Sequence, residues 1–203
     1  MAILLSDPLV HAVRLLDNGD PLVPLPFAAH VSVRTGLAAR LTLARSALPA
    51  GVDLRVVEGY RSAADQQAII NEYRGELRSL HPDADEVELT RLYSRFVAPM
   101  AVAPHVAGAA VDLTLVDADG VDLWLGTKID DTPERSGGAC FFHADVDDEA
   151  RRNRTLLARV LGEAGLVNYP TEWWHWSYGD RYWALMTGAR HALYGPVRAP
   201  VAV

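Results

Sequence analysis

The chain predicts an α+β fold, a small antiparallel sheet flanked by helices, from three observations. Apolar residues recur at helical spacing in some segments and gather into short β-branched runs in others. The two patterns are interspersed without the regular strand–helix–strand units of a parallel sheet. Of the 203 residues 50% are hydrophobic, enough to bury the core of one domain, and no repeat at a solenoid-like period divides them.

The elements follow in order. Residues 1–5 are a short apolar run with no basic flank and no cleavage site before Ser6, Asp7 and Pro8, so the mature protein is read as starting at Met1. Pro21, Pro24 and Pro26 make the next stretch loop or edge strand, because proline has no N–H for a ladder. Leu37, Leu41 and Ala44 predict a helix over residues 33–48, ended by Pro49 and Gly51. Residues 54–57 read as a strand. Ser62, with Asp65 three positions on, is an N-cap arrangement that opens a helix carrying Ala68 and Ile69 toward Tyr73. Arg61 then stands at a strand-to-helix junction. Residues 86–96 give a second helix after the loop His81-Pro82-Asp83, and the pair reads as an insertion or a flap. Residues 111–116 form a strand between Gly108 and the turn Asp119-Gly120, with Asp112 near its start. Asp147, Asp148 and Glu149 favour a helix N-terminus ahead of residues 150–163. The aromatic run 173–178 is the last strand.

Composition excludes several classes. The formal charge of -7, from 26 acidic and 19 basic residues, argues against an extended nucleic-acid footprint. No segment is long and apolar enough for a membrane span, and the single cysteine, Cys140, cannot form an internal disulfide, so cytoplasmic residence is expected. Neither a G-x-S-x-G elbow nor a G-x-x-x-x-G-K phosphate loop is present. His143 lies beside Phe141 and Phe142 as a packing residue or decoy ligand, and nothing in the sequence supplies a base for Cys140.

A catalytic zinc uses three protein ligands, commonly imidazole and carboxylate, and keeps a position open for water. His105, Gly108 and Asp112 place an imidazole and a carboxylate around a glycine-assisted bend. Glu172-Trp173-Trp174-His175 adds a histidine with a nearby carboxylate, so that one residue can hold an ion while the other moves protons. Residues 172 and 175 of an ideal strand would face opposite ways, which predicts a bulge or turn between them. Each piece also has an ordinary reading: an Asp after a glycine is a turn residue, a His among tryptophans belongs to the core, and an Arg beside a helix is a surface ion pair.

Three segments remove that ambiguity: Glu58-Gly59-Tyr60-Arg61, then His105-x-x-Gly108-x-Ala110-x-Asp112-Leu113-Thr114, then Glu172-Trp173-Trp174-His175. In order and separation they resemble the D-alanyl-D-alanine dipeptidases of the vancomycin-resistance type, within the wider zinc D,D-peptidase family, over most of the chain. The resemblance implies a single zinc peptidase domain over residues 1–203 whose sheet carries the zinc site. It implies one zinc ion on His105, Asp112 and His175, Glu172 as general base and then acid, and Arg61 at the transition state. Asp130, with Glu134-Arg135-Ser136 after it, resembles the segment that receives the substrate's free amino group. The implied partner is a small peptide, most closely D-alanyl-D-alanine, with no nucleic acid and no membrane. The chain departs from the pattern at Ala103, Val106 and Ala107, where dipeptidases of this type usually carry a serine before the first histidine and a Ser-Arg pair after it; the missing hydroxyl bears on substrate preference.

Three rivals stay open at this level. A carboxypeptidase acting on peptidoglycan stem peptides would use the same chemistry. A non-haem iron oxygenase triad would leave Glu172 unexplained. An inert zinc-containing peptide-binding module would have kept the fold without the reaction, against the retention of Glu172 and Arg61.

Overall fold

A computed structural model describes residues 2–197; Met1, taken above as the start of the mature protein, lies outside them. A short helix α1 (Pro8–Ala12), capped by the Asp7 carboxylate, leads to a two-stranded antiparallel sheet of β1 (Leu22–Leu25) and β2 (Ala28–Arg34). Pro24 lies exposed within β1, as an edge strand tolerates. Helix α2 (Thr35–Ser46) follows at once, burying Leu37, Leu41 and Ala44. The expected start of this helix at residue 33 is corrected: Val33 and Arg34 belong to β2. No side chain caps α2 at Arg34, so the boundary carries no N-cap signature.

The main sheet has the order β3-β4-β6-β5, antiparallel throughout: β3 (Val52–Glu58), β4 (Ala110–Asp117), β5 (Val167–Asn168) and β6 (His175–Ser177). Between β3 and β4 run α3 (Ala63–Leu80), α4 (Glu86–Tyr93) and a 3-10 turn (Met100–Val102). Ser62 caps α3 as its spacing predicts, accepting from the Asp65 N–H at 3.1 Å. Helix α5 (Asp148–Glu163) is capped by Asp147, and α6 (Arg181–Thr187) by Asp180, with Gly188 in the left-handed conformation closing it. The strand expected over residues 173–178 is shorter, because residues 170–174 turn before the ladder begins.

The apolar interior falls into separate clusters. The largest joins α2, α5 and the main sheet through Leu37, Leu41, Leu54, Val111, Leu113, Leu157 and Trp173. A second belongs to the helix pair α3/α4 and joins Ile70, Tyr73, Leu77, Leu89 and Leu92. β4, buried along nearly its whole length, is the strand on which the site is built. No helix among the described residues is long and apolar enough to cross a membrane.

Candidate metal centre and active-site cleft

Strand register assembles most of the site. Asp112 on β4 pairs with His175 on β6 and, across the sheet, with Glu58 on β3, so three strands present one polar residue each in a single row. A register shift between Val56 and Glu58 re-aims the end of β3 toward this row.

His105 arrives from the loop before β4. Gly108 turns that loop at φ 64, and a Cβ there would lie 2.5 Å from Leu22 Cδ2, so both conformation and space require glycine. The backbone N–H groups of Gly108 and Arg61 both donate to the His105 carbonyl, at 2.9 and 3.2 Å. His105 Nδ1 donates to the Gly59 carbonyl at 2.7 Å, which fixes the tautomer and leaves the Nε2 lone pair facing inward.

His105 Nε2, Asp112 Oδ1 and His175 Nδ1 then converge. Their separations are 3.1 Å between the two nitrogens, 3.0 Å from His175 to Asp112 and 3.4 Å from His105 to Asp112. Ligands about 2.0–2.1 Å from a tetrahedral zinc stand roughly 3.3–3.4 Å apart, so this donor set matches a zinc face in both chemistry and spacing. All three residues are buried, and together they form a candidate metal site. His105 Nε2 and Asp112 Oδ1 face the same point as acceptors with His175 Nδ1 between them, an arrangement that a cation at that point would satisfy.

Glu172 comes from the turn ahead of β6. Its N–H donates to the Tyr169 carbonyl at 2.9 Å, and the His175 N–H returns to the Glu172 carbonyl at 3.3 Å. Asn168 ties the turn down, its amide donating to the Glu172 carbonyl at 2.9 Å and the His175 carbonyl at 3.0 Å. The expected turn between Glu172 and His175 is therefore present, and it leaves the Glu172 carboxylate 3.9 Å from His175 Nδ1.

Arg61 sits between β3 and α3 with its guanidinium held on three sides. Nε donates to Glu58 Oε1 at 2.7 Å, Nη2 to Glu58 Oε2, and Nη1 to Gln66 Oε1 at 2.9 Å. Gln66 in turn donates to the Ala98 carbonyl at 2.8 Å. Glu58, Gln66 and Asn168 carry no assignment from the sequence reading. The first signal available for Glu58 and Gln66 was their spacing of three before and five after Arg61, across the strand-to-helix junction.

These groups line a cleft of about 270 Å³, with Glu58, Arg61, Asp112, Asp130 and Glu172 on its polar side and Leu5, Ile69, Phe96 and Val97 on its apolar side. Leu5 is fixed at its end by its N–H, which donates to the Tyr169 hydroxyl at 3.1 Å, while that hydroxyl donates to the Ser94 carbonyl. Asp130 borders the cleft as a solvent-accessible residue with its backbone at φ 66. The departures Ala103, Val106 and Ala107 are buried and do not line the cleft, so their missing polar groups are not replaced by anything facing it. His143 and Cys140 also stand outside the lining.

Burial and mutual charge shift the titrating groups. Burial opposes ionisation of Asp112, but His105 and His175 outweigh it and hold this carboxyl well below the usual carboxylate range. Glu172 is pushed well above that range, first by burial and then by the Asp112 and Asp130 carboxylates. Asp130 is pushed up to about 6, by desolvation in the cleft and then by Asp112 and Glu58. Desolvation opposes the charge of Arg61, yet the Glu58 carboxylate leaves its pKa raised. The site thus holds a firmly ionised carboxylate, Asp112, two carboxyls poised to carry a proton, Glu172 and Asp130, and a permanent cation, Arg61.

Comparisons with known proteins place this site in a family. A family model described as D-ala-D-ala dipeptidase, peptidase family M15, matches residues 27–191. A D-alanyl-D-alanine dipeptidase of Synechocystis sp. is 28% identical over an alignment covering 92% of this chain and 95% of the relative. A D-alanyl-D-alanine dipeptidase of Escherichia coli is 41% identical over 71 residues, 35% of each chain. Among solved structures, a vancomycin resistance D,D-pentapeptidase VanY mutant in complex with Zn(II) is 21% identical, with 90% of this chain and 96% of that chain covered and a TM-score of 0.44. The vancomycin resistance D,D-dipeptidase VanXYg in complex with a D-Ala-D-Ala phosphinate analog is 20% identical, with 89% and 69% covered and a TM-score of 0.39. With most of its length matched by the family model, the chain belongs to the D-ala-D-ala dipeptidase family of zinc metallopeptidases.

Proposed function

We propose that the chain hydrolyses a free D-amino-acid dipeptide, D-alanyl-D-alanine or a close relative, with His105, Asp112 and His175 holding one zinc ion. Bound there, zinc supplies Lewis-acid activation of water and of the scissile carbonyl. Glu172 accepts the proton of the attacking water and delivers it to the leaving amine; its raised pKa suits a group that must both take and give a proton. Glu172 would begin as a base once a cation held by His105, Asp112 and His175 offset the Asp112 field that helps keep it protonated. Arg61, held by Glu58 and Gln66, presents its charge to the oxyanion that develops on the carbonyl. Asp130 receives the substrate's free ammonium group.

The observation that carries this reading is the juxtaposition, in one small cleft, of three convergent ligand atoms with Glu172 3.9 Å from one of them, His175 Nδ1. A cleft of about 270 Å³ lies at the lower edge of the roughly 300–1,000 Å³ usual for small-molecule sites, which favours a free dipeptide over a long stem peptide. The relatives named as D-alanyl-D-alanine dipeptidases support the same substrate.

The test is release of free D-alanine from D-alanyl-D-alanine by the zinc-loaded chain, beside Glu172→Ala, a chelated sample and an N-blocked stem peptide. Turnover of the dipeptide that both controls abolish supports the reading. Preferential cleavage of the stem peptide would replace it with a carboxypeptidase. We further propose that residues 1–203 act as one domain in the cytoplasm; activity recovered outside the cytosolic fraction of the native cell overturns that placement.

A further inference from the structure

The two sides of the cleft come from parts of the chain with separate cores. Helix α3 supplies Gln66 and Ile69, the segment just after α4 supplies Phe96, Val97 and Ala98, and the helix pair packs on its own apolar cluster around Tyr73, Leu77 and Leu89. Asp130, by contrast, belongs to residues 123–147, which contain no helix and no strand. A segment of that kind keeps its shape only through individual hydrogen bonds and packing contacts, since no ladder or helix repeat restrains it. Asp130 itself stands at φ 66, in the left-handed region that Asp and Asn adopt more readily than other non-glycine residues.

Most of the contacts that brace this segment run back to the main body. The buried Arg154 guanidinium donates to the carbonyls of Leu125, Ala139, Phe141 and Phe142 at 2.6–3.1 Å. Within the segment, the Lys128 N–H donates to Asp131 Oδ2 at 3.2 Å and the Ser136 N–H to the Thr132 carbonyl at 2.9 Å. Glu134 does something different. Its Oε2 accepts from the Tyr73 hydroxyl of α3 at 2.5 Å, and its Oε1 accepts from the Arg95 guanidinium just beyond α4. Tyr73 is buried, and the side chains of Glu134 and Arg95 are each only 23% exposed, so the pair is shielded as a surface ion pair is not. Nearby, Arg135 reaches Glu76 at 3.3 Å, but that pair is open to solvent and adds little.

We propose that Glu134 is a positioning residue for substrate recognition: through Tyr73 and Arg95 it clamps the Asp130 segment to the helix pair and fixes the span of the cleft across which the substrate's free amino group is received. This rests on the reading of Asp130 as the amino-group receiver. Neither Glu134 nor its partners Tyr73 and Arg95 line the cleft, so they act on the substrate through neighbours that do, Asp130 on one side and Phe96, packed against Tyr73, on the other. The chemistry of the clamp also sets its specificity: a carboxylate that accepts from a phenol and a guanidinium at once has no equivalent among neutral side chains.

Steady-state kinetics of the zinc-loaded full chain on D-alanyl-D-alanine and on its N-acetylated form test the proposal, with Glu134→Ala, Glu134→Gln, Tyr73→Phe and Asp130→Asn measured side by side. Glu134→Ala is expected to raise KM for the free dipeptide by about tenfold while kcat stays within about threefold, as befits lost uniform binding. Its preference for the free over the acetylated dipeptide should fall toward that of Asp130→Asn. Glu134→Gln keeps an acceptor for Tyr73 but loses the charge facing Arg95, so its KM should lie between those of the native chain and Glu134→Ala. Tyr73→Phe should shift KM in the same direction, and if Glu134→Ala fails to fold, these two milder variants decide. An unchanged KM and preference in the folded Glu134 and Tyr73 variants, beside a clear effect of Asp130→Asn, overturns the clamp. A fall in kcat with KM unchanged overturns it as well. If Asp130→Asn itself leaves KM and preference unchanged, the amino-group reading fails, and the clamp fails with it.

Discussion

On the metal side of the cleft Glu58, Asp112 and His175 stand in one cross-strand row, placed by backbone register, and His105 is locked by its Nδ1 bond to the Gly59 carbonyl. The Asp130 segment, on the same polar side, has no regular structure and faces a helix pair with its own core. The strand row positions its groups through cooperative backbone hydrogen bonds, the segment through a few side chains. On the proposed roles, metal binding draws on this strand row, while selection of the substrate falls to the part that a few substitutions can reshape.

The comparison breaks most easily at the proton carrier. Glu172→Ala is expected to keep zinc bound while losing about 10²–10⁴ in kcat, the usual contribution of a positioned acid–base; zinc analysis with single-turnover kinetics measures both. Arg61→Ala comes next, with about 10²–10³ lost in kcat as for removal of one oxyanion partner. A kcat that survives Arg61→Ala while KM rises would transfer this residue from the chemistry to substrate binding.

Proton traffic sharpens the contrast further. A carboxyl whose folded pKa is raised, as for Glu172 and Asp130, penalises the folded state increasingly as pH rises through its unfolded value toward its folded one. Asp112 runs the other way: its stabilising contribution is present above the unfolded carboxylate value and is lost as pH falls toward its depressed folded one. Zinc held by the three ligands would offset the Asp112 charge and so lower the Glu172 and Asp130 values, with release of protons. Calorimetric titration of metal-free protein with zinc near pH 6, in buffers of different ionisation enthalpy, should show net proton release that shrinks in Glu172→Gln. Release unchanged by that substitution would mean that Asp130 or a ligand histidine, not Glu172, carries the proton.

Smaller effects belong to the scaffold. Asn168→Ala removes the amide that holds the Glu172 and His175 carbonyls; each keeps a backbone donor, so the loss should be about 0.5–1.5 kcal/mol per hydrogen bond, with kcat falling as the turn loosens. Ser62→Ala removes only the cap of α3 and should cost about 1 kcal/mol, read as a lower Tm with the metal still bound.

Much of this molecule was legible before any coordinates. Ser62 with Asp65 announced the start of α3, Asp119-Gly120 the turn after β4, and the acidic cluster before residue 150 the start of α5; each is a local hydrogen-bonding signature, and each lies where it was expected. The β2 strand was missed although Val31 and Val33 alternate with His30 and Ser32, because the helix beginning at Thr35 has no capping side chain to mark the change. The caps of α6, Asp180 and Gly188, were equally plain and went unread.

By itself the sequence determined the short-range features: which segments are helix or strand, where Gly108 bends the chain, and which residue types suited to holding a metal and moving a proton occur together. It also supplied the motifs that tie the chain to its family. Only the tertiary structure decided that His105, Asp112 and His175 bring their donor atoms within 3.0–3.4 Å of one another, that Glu58 and Gln66 orient Arg61, and that Glu134 links the Asp130 segment to the helix pair. Caps and turns are encoded within a few residues. A metal face and a cleft width are relations between residues 7 to 70 positions apart, set by sheet register and by which side chains meet once the separate cores have packed.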